Sequence, residues 1–409
     1  MIRNIIILKE MENIKREIYL EKIRPFVNQP LIKVLIGQRR VGKSFLLRQV
    51  VAEILSGNAE ANIIYIDKEK YEFDVIQNYH HLMEYIKSRQ KEGMNYLFID
   101  EVQEIKEFEK ALRSLLSETN FDIYCTGSNA KMLSGEIATI LSGRQITFKI
   151  YSLSFIEFCQ FNRLEMNLQT LNSFLKYGGL PYLMHLPKQD EIIFEYLRNI
   201  YSTILFRDVV SRNEIRDVAF LNNLLRFIAD NTGSLVSAKK ISDYLKSQQS
   251  SKTVSVILNY ISYLEEAYFL LKVKRKDIQG KKIFEVNEKY YFEDFGLRNS
   301  VNGFKISDIG KIAENAVYQH LLICGYDIFV GKSGDKEIDF VAERNGETLY
   351  IQVTSYLSDD KVIEREFGNL LAIPDNYPKI VVSLDEFSGN STYKGIMHQT
   401  LLEFLSKYI

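Results

Sequence analysis

The chain has 409 residues, too many for one ordinary hydrophobic core, so we expect two to four domains. Its 53 acidic and 52 basic residues nearly cancel, which excludes a partner selected by whole-chain charge and confines any nucleic-acid surface to a local patch. Three scattered cysteines, the lack of a signal-peptide pattern and the lack of an apolar run of about 18 residues predict a cytoplasmic protein without a membrane span.

The first 165 residues predict an α/β arrangement. Residues 1–28 have apolar side chains at helical spacing and predict an amphipathic N-terminal helix. Beyond them, short β-rich runs alternate with helical patterns, which predicts a P-loop-type domain over residues 29–165 with a mainly parallel sheet covered on both faces. The predicted strands are Leu31–Ile36, Asn62–Ile66, Tyr96–Ile99, Ile123–Thr126 and Ile146–Ile150.

A glycine-bounded loop follows the first predicted strand. It reads G-x-x-x-x-G-K-S and consists of Gly37, Gln38, Arg39, Arg40, Val41, Gly42, Lys43 and Ser44, with Phe45 next in the following helix. The two glycines let the backbone curl so that N–H groups point at phosphate oxygens, and the helix N-terminus adds a partial positive charge. Lys43 would reach the β- and γ-phosphates, and the Ser44 hydroxyl would ligate Mg²⁺. The loop therefore predicts a site for a nucleotide such as ATP.

The third predicted strand ends in two acids, Asp100 and Glu101. Open α/β sheets bind ligands at the carboxyl ends of their strands, so Asp100 is predicted to help hold Mg²⁺. Glu101 beside it would polarise an attacking water molecule. Together with the glycine-bounded loop, the acids indicate hydrolysis rather than binding alone.

Two further stretches supply candidate catalytic groups. Ser128 and Asn129 follow the fourth predicted strand and are candidates for sensing the γ-phosphate, on the expectation that the loop strand and the acidic strand are neighbours in the sheet. Arg144 follows a glycine turn and would supply positive charge to the transition state, within one subunit or in a neighbouring one. The alternative for Arg144 is an ordinary surface arginine or a structural ion pair.

These motifs, together with Leu153–Phe158 and Tyr177–Pro181, resemble the AAA+-type ATPases of bacteria and archaea that carry a C-terminal DUF4143 region, the AAA_14 plus DUF4143 family. The likeness covers nearly the whole chain. It implies Lys43 and Ser44 as Walker A, Asp100 and Glu101 as Walker B, Ser128 or Asn129 as the sensor, and Arg144 as the arginine finger. ATP and Mg²⁺ are the implied cofactors.

Residues 166–215 are mostly helical and are interpreted as a lid or connector, whereas residues 216–300 predict three helices and then a hairpin, the winged-helix plan. Basic residues cluster around the hairpin tip: Lys272, Lys274, Arg275, Lys276, Lys281 and Lys282. Two interpretations stay open. The wing would contact the phosphates of double-stranded DNA, or the winged helix would contact a protein partner or pack on the ATPase domain.

Residues 301–409 predict a small α/β domain with a hairpin turn at Asn345-Gly346. The segment resembles the PD-(D/E)xK (restriction-endonuclease-like) nuclease core, and this resemblance implies a Mg²⁺-binding set of Glu314, Asp339 and Gln352. The core pattern has a lysine where this chain has Thr354, and a neutral threonine cannot offset charge on a phosphate. An inactive nuclease-like fold is therefore favoured over an active nuclease in which Lys336 or Lys361 replaces the missing lysine.

The predicted function is Mg²⁺-dependent hydrolysis of ATP to ADP and phosphate, which drives a rearrangement of the C-terminal half with duplex DNA as a candidate partner. One alternative is a slow nucleotide-gated switch that recruits a protein partner. Another is an ATPase coupled to a metal-dependent DNA nuclease. A homo-oligomer is compatible with each, because Arg144 could serve a neighbouring subunit.

Overall fold

The computed structural model describes residues 14–130, 143–247, 252–278, 280, 283–357, 360–385 and 392–409. The chain forms two compact units, one of Met1–Tyr151 with Glu266–Tyr268, and one of Ser152–Glu265 with Phe269–Ile409. No helix in the described ranges is long and apolar enough to cross a membrane.

The first unit is built on a five-stranded sheet in which all paired neighbours are parallel. Its strands are β1 (Ile32–Ile36), β2 (Asn62–Asp67), β3 (Asn95–Asp100), β4 (Phe121–Gly127) and β5 (Gln145–Lys149). Its helices are α1 (Glu17–Ile23), α2 (Lys43–Gly57), α3 (Tyr79–Lys87) and α4 (Phe108–Ser117). Each strand coincides with one of the apolar runs, which confirms the prediction of a parallel α/β sheet.

The order of the strands differs from the expectation in one respect. The sheet runs β2-β3-β4-β1-β5, so β4 separates β1, which leads into the glycine-bounded loop, from the acidic strand β3. The expectation that these two strands are neighbours was therefore wrong, because apolar runs indicate which segments are strands but not which strands pair. The polar end of β4 consequently lies between the loop and the acids.

A buried ion pair joins the two central strands of this sheet. Lys33 on β1 and Asp122 on β4 form a salt bridge, and both side chains are fully buried. The ammonium also donates to the carbonyl of Gln29 (2.8 Å), and the hydroxyl of Tyr124 donates to Asp122 (2.9 Å). Burial lowers the pKa of Lys33, and the charge of Asp122 opposes that shift.

The described part of the predicted N-terminal helix is α1, which belongs to the first unit, while residues 1–13 lie outside the described ranges. Helix α1 buries Leu20 and Ile23 in the core beside the sheet. Just before it, the buried guanidinium of Arg16 donates to the carbonyls of Val41 (2.8 Å) and Tyr151 (3.0 Å). Arg16 is thus bonded both to the glycine-bounded loop and to Tyr151 at the end of the unit.

The second unit contains helices and one mixed sheet. Its helices are α5 (Phe155–Asn162), α6 (Leu168–Tyr177), α7 (Asp190–Thr203) with a π-helical continuation (Ile204–Ser211), α8 (Val218–Asp230), α9 (Ala238–Ser247), α10 (Val254–Glu266), α11 (Phe295–Asn302), α12 (Ile309–Ile323), α13 (Asp360–Leu371) and α14 (Leu401–Leu405). Its strands are β6 (Leu270–Asp277), β7 (Ile283–Phe292), β8 (Asp327–Ser333), β9 (Lys336–Arg344), β10 (Glu347–Thr354), β11 (Lys379–Ser383), β12 (Thr392–Tyr393) and β13 (Ile396–Thr400).

The three helices and the hairpin predicted for residues 216–300 are present, as α8 to α10 and β6–β7. However, β6 pairs in parallel with β8, so the hairpin extends one eight-stranded sheet of order β12-β13-β11-β10-β9-β8-β6-β7. A division at residue 300 would therefore cut through this sheet, and a separate winged-helix domain is not confirmed. The hairpin at Asn345-Gly346 is present between β9 and β10, with positive φ at both residues.

Candidate functional site

The glycine-bounded loop joins β1 to α2 through two positions that require glycine. A Cβ atom on Gly37 would lie 2.1 Å from the carbonyl oxygen of Ile150, so any side chain there would collide with backbone. Gly42 has φ +96°, a left-handed conformation that side chains rarely adopt, and it immediately precedes α2. These constraints fix the curl of the loop.

Lys43 lies back across this loop. Its side chain is 4% exposed, and its ammonium donates to the carbonyl oxygens of Gly37 (2.9 Å) and Gln38 (2.9 Å). The positive charge is therefore held against the loop by two neutral acceptors. A phosphate oxygen would be a stronger acceptor than either carbonyl, because hydrogen bonds between charged partners are about twice as strong.

Asp100 connects the loop to the neighbouring strands. It is the last residue of β3 and is buried, and its carboxylate accepts a hydrogen bond from the hydroxyl of Thr126. Burial raises the pKa of Asp100, and the hydroxyls of Thr126 and Ser44 oppose the rise. Hydroxyl and carboxylate oxygens are ligands that Mg²⁺ accepts, so Ser44 and Asp100 fit a Mg²⁺ ion that binds together with nucleotide phosphates.

Glu101 follows in a left-handed conformation (φ +55°), which turns the chain at the end of β3. Its backbone N–H donates to the hydroxyl of Thr126 (2.9 Å), and its carboxylate accepts from Ser128 (3.0 Å) and from Gln103. Burial opposes ionisation of Glu101, but the charges of Lys43 and Arg39 together with the hydrogen bonds from Gln103 and Ser128 outweigh it and hold the pKa of this carboxyl below its usual value. Glu101 is therefore ionised at neutral pH and can act as a base.

Most of the predicted nucleotide-site residues lie together at the carboxyl edge of the sheet. Lys43, Ser44, Asp100, Glu101 and Ser128 are connected by the contacts described above, and Asn129 is buried next to Ser128. Their catalytic and sensing roles stay predictions.

Arg144 is not brought to this edge. It immediately precedes β5, is exposed, and accepts a hydrogen bond at its carbonyl from the N–H of Ile32 (2.8 Å), the first residue of β1. Because β1 and β5 are parallel, Arg144 lies at the amino edge of the sheet, about 15 Å along the strands from the loop. This position excludes a direct role of Arg144 in its own subunit's site and leaves the role in a neighbouring subunit as a prediction.

Three residues of the site were not predicted from the sequence. Thr126, the second-last residue of β4, bonds to both acids. Gln103 donates to Glu101, and Asp67 ends β2 directly opposite Asp100 in the strand register. For Thr126 and Asp67 the available signal was their position at the carboxyl end of a predicted strand.

The second unit brings together the residues implied by the nuclease resemblance, namely Glu314 on α12, Asp339 on β9 and Gln352 on β10. We call these three the Glu314 set. The N–H of Asp339 donates to the side-chain oxygen of Gln352 (3.3 Å). The ammonium of Lys289, on β7, lies 2.9 Å from Glu314 and 3.0 Å from Asp339. Lys289 was not predicted at this position.

The charges of this cluster depend on one another. Burial opposes the charged form of Lys289, but the carboxylates of Asp339 and Glu314 outweigh burial and raise the pKa of the lysine. Burial and the charge of Asp339 raise the pKa of Glu314 to about 7, although Lys289 acts in the opposite direction. Across the described ranges, no group of three or more histidine, cysteine, aspartate or glutamate residues could hold a metal ion. The Glu314 set is therefore assembled but does not fit a metal as it stands.

The basic hairpin is partly neutralised. Lys272 lies within salt-bridge distance of Glu265 (3.6 Å) and Glu288 (3.9 Å), and Lys276 pairs with Glu343. Lys281 and Lys282 lie outside the described residues. Binding of duplex DNA by this hairpin is not confirmed.

Comparison with known proteins agrees with the geometry of the first unit. Residues 29–159 match the family model of an AAA domain, AAA_14. Residues 168–308 match DUF8612, a domain of unknown function, so the predicted DUF4143 region and nuclease domain are not confirmed.

An uncharacterized protein of Haemophilus influenzae is 36% identical over 378 residues, which cover 90% of this chain and 93% of that protein. The chain belongs to the family of this protein. MJ1544, an uncharacterized protein of Methanocaldococcus jannaschii, is 31% identical over 87% of this chain and 80% of its own length. The residues that match the AAA-domain model include most of the first unit, which we therefore call the AAA domain.

Among solved structures, the Walker-type ATPase PABY2304 of Pyrococcus abyssi has a similar fold, with a TM-score of 0.50. It is 17% identical and the match covers 70% of this chain and 95% of that protein. This likeness concerns the fold alone. With the AAA-domain match, it confirms the prediction of a P-loop ATPase fold.

Proposed function

We propose that the AAA domain binds ATP together with Mg²⁺ and hydrolyses it to ADP and phosphate. The observation that carries the proposal is the pair of hydrogen bonds from the end of β4 to the two acids, Thr126 to Asp100 and Ser128 to Glu101. Strand β4 pairs both with β3, which ends in the acids, and with β1, which leads into the phosphate loop, so the loop and the acids share the carboxyl edge of the sheet. The family match and the fold likeness support the same function.

Binding would depend on the loop and its lysine. Lys43 would exchange its hydrogen bonds to Gly37 and Gln38 for charge-assisted bonds to the β- and γ-phosphates. Ser44 and Asp100 would hold Mg²⁺, which when bound neutralises phosphate charge. Asp100 already accepts a hydrogen bond from the Thr126 hydroxyl, which orients this carboxylate before the nucleotide arrives.

Hydrolysis would depend on Glu101. Its ionised carboxylate would accept a proton from the attacking water as the water oxygen bonds to the γ-phosphorus and ADP leaves. The hydroxyl of Ser128 and the amide of Gln103 donate to this carboxylate and fix its orientation. The backbone N–H bond to Thr126 holds Glu101 in its left-handed conformation.

The proposal extends to the second unit, which we propose rearranges when the nucleotide is bound or hydrolysed. What supports this extension is that the relative from Haemophilus influenzae matches 90% of this chain, so the AAA domain and the second unit occur together in both proteins. Duplex DNA and a protein partner are the two candidate targets.

The test is the rate of ATP hydrolysis by the intact chain, by Lys43→Ala and by Glu101→Gln, with and without duplex DNA. Lys110→Ala and Glu104→Gln are matched controls, because both side chains are exposed in the same unit. Lys43→Ala is expected to lose ATP binding. Glu101→Gln is expected to bind ATP and lower turnover by about 10²- to 10⁴-fold, the usual contribution of a general base.

Turnover that survives in both variants would refute the proposed ATPase site. Stimulation by DNA that falls as salt rises would identify DNA as the target, because phosphate contacts release counterions. Unchanged slow turnover with DNA would favour the nucleotide-gated switch that recruits a protein.

A further inference from the structure

The carboxylates around Lys289 are arranged as in a cation-binding site. The ammonium group of Lys289 takes the position of the bound cation. The ammonium lies 2.9 Å from Glu314, 2.9 Å from Glu337 and 3.0 Å from Asp339. Three carboxylates contributed by α12 and β9 thus surround a single nitrogen atom. The lysine side chain is only 2% exposed.

The oxygens of the Glu314 set have protein donors besides the lysine. The other oxygen of Asp339 accepts from the N–H of Val353 (3.0 Å), and Tyr291 donates its hydroxyl to Glu314 (2.6 Å). The side-chain oxygen of Gln352 accepts from the N–H of Asp339. The set is therefore both neutralised and hydrogen-bonded in the native chain.

The lysine comes from a strand remote from the set in the sheet order. Strand β7 is at one edge of the eight-stranded sheet, whereas Asp339 and Gln352 lie on the interior strands β9 and β10. Lys289 and Tyr291 are two residues apart on β7, so they project from the same face and reach Glu314 together. The edge hairpin thus supplies the cation.

We propose that the Lys289 ammonium is the tethered occupant of a latent divalent-cation site formed by Glu314, Glu337 and Asp339. The native chain therefore excludes a metal ion from this position, and with it metal-dependent cleavage of nucleic acid there. The inference does not depend on ATP hydrolysis by the AAA domain.

Removal of the ammonium is expected to open the site. Lys289→Met keeps a long unbranched side chain but leaves the carboxylates of Glu314, Glu337 and Asp339 without their cation. Hard divalent and trivalent cations bind such oxygen ligands, and a site with few carboxylates is expected to have a Kd of about 10⁻⁴ to 10⁻³ M. The matched control is Lys336→Met, which makes the same charge change at an exposed position on β9.

The probe is Tb³⁺, whose emission is sensitised by nearby aromatic side chains. The chain contains no tryptophan, so excitation passes through tyrosine, and Tyr291 lies against Glu314. Lys289→Met is expected to show saturable sensitised emission that the native chain and Lys336→Met lack. Adding Glu314→Gln to Lys289→Met is expected to abolish it. Mn²⁺ should displace Tb³⁺ and raise the melting temperature of Lys289→Met alone.

The uncompensated carboxylates could prevent Lys289→Met from folding, so Lys289→Met with Glu337→Gln is the second variant. Glu337 is the most exposed of the three acids, and its neutralisation leaves the Glu314 set intact. A folded variant without saturable emission would overturn the proposal. Equal Tb³⁺ binding by the native chain would overturn it too, as would Mn²⁺-dependent DNA cleavage that is lost on substitution of Lys289.

Discussion

The hydroxyl of Thr126 donates a hydrogen bond to the carboxylate of Asp100 on the adjacent strand. The same oxygen accepts the N–H of Glu101 (2.9 Å), so one hydroxyl positions both acids of the nucleotide site. Since β4 lies between the loop strand and the acidic strand, this hydroxyl can serve the two acids from the middle of the sheet.

Replacement of this hydroxyl should impair hydrolysis more than ATP binding. Thr126→Val keeps the shape of the side chain but leaves a buried carboxylate and a buried N–H without their partner, each at a cost of about 1–3 kcal/mol. We expect kcat to fall about tenfold or more with a smaller change in KM. Thr126→Ser, which keeps the hydroxyl, should restore kcat, and failure of that rescue would indicate a packing role instead.

Arg144 should have no effect on hydrolysis by an isolated subunit. It lies at the amino edge of the sheet, far from the phosphate loop. Arg144→Ala is expected to leave turnover unchanged at dilutions where the chain is monomeric. If Arg144 serves a neighbouring subunit, mixing Arg144→Ala with Glu101→Gln should restore turnover in an assembly, since each variant would supply what the other lacks. A large loss of turnover in the monomer would contradict the position described for Arg144.

Lys33 and Asp122 should stabilise the AAA domain only when both residues are present. Lys33→Met leaves a buried carboxylate without its partner and is expected to lower the free energy of unfolding by about 3–5 kcal/mol. The double variant Lys33→Met with Asp122→Asn should recover much of this loss. Lys149→Met on β5, at an exposed position, is the control, and Asp122→Asn alone completes the cycle. Urea unfolding of the five proteins measures the differences, and a loss in the double variant equal to the sum of the two single losses would disprove the coupling.

His320 should make the second unit acid-sensitive. It is buried against Phe404 and Tyr408, and burial lowers its pKa from 6.5 to about 4. Between these pH values the unfolded chain binds more protons, so the free energy of unfolding falls as pH drops from 6.5 towards 4, by about 3 kcal/mol in full.

Urea unfolding at several pH values tests this linkage. His320→Phe should flatten the dependence in that window, whereas His81→Gln, at an exposed histidine, should leave it unchanged. An equal slope for His320→Phe and the native chain would count against the role of His320.

Much of the nucleotide site could be predicted because its signals are local. The spacing of Gly37, Lys43 and Ser44 is read within one loop, and Asp100 and Glu101 end one apolar strand. The position of Arg144 was also available in principle. It directly precedes a strand whereas Lys43 follows one, so in a parallel sheet the two must lie at opposite edges.

The remaining features depend on contacts between distant segments. Strand β4 lies between β1 and β3 because of how the strands pair with one another. The residue pattern within any one strand does not indicate its neighbours in the sheet. Lys289 is 25 residues from Glu314 and 50 from Asp339, and its own surroundings read as an ordinary alternating strand. Its role becomes visible only when β7, α12 and β9 are packed together.

The hydrogen bonds of Arg16 indicate where the folded AAA domain begins. The family match starts at residue 29, yet Arg16 holds the carbonyl of Val41 inside the phosphate loop and that of Tyr151 at the far end of the unit. A fragment trimmed to the matched residues would lack the donor to both carbonyls, one of which lies inside the loop proposed to bind nucleotide. Such a truncation is expected to loosen this loop without removing any residue of the proposed site.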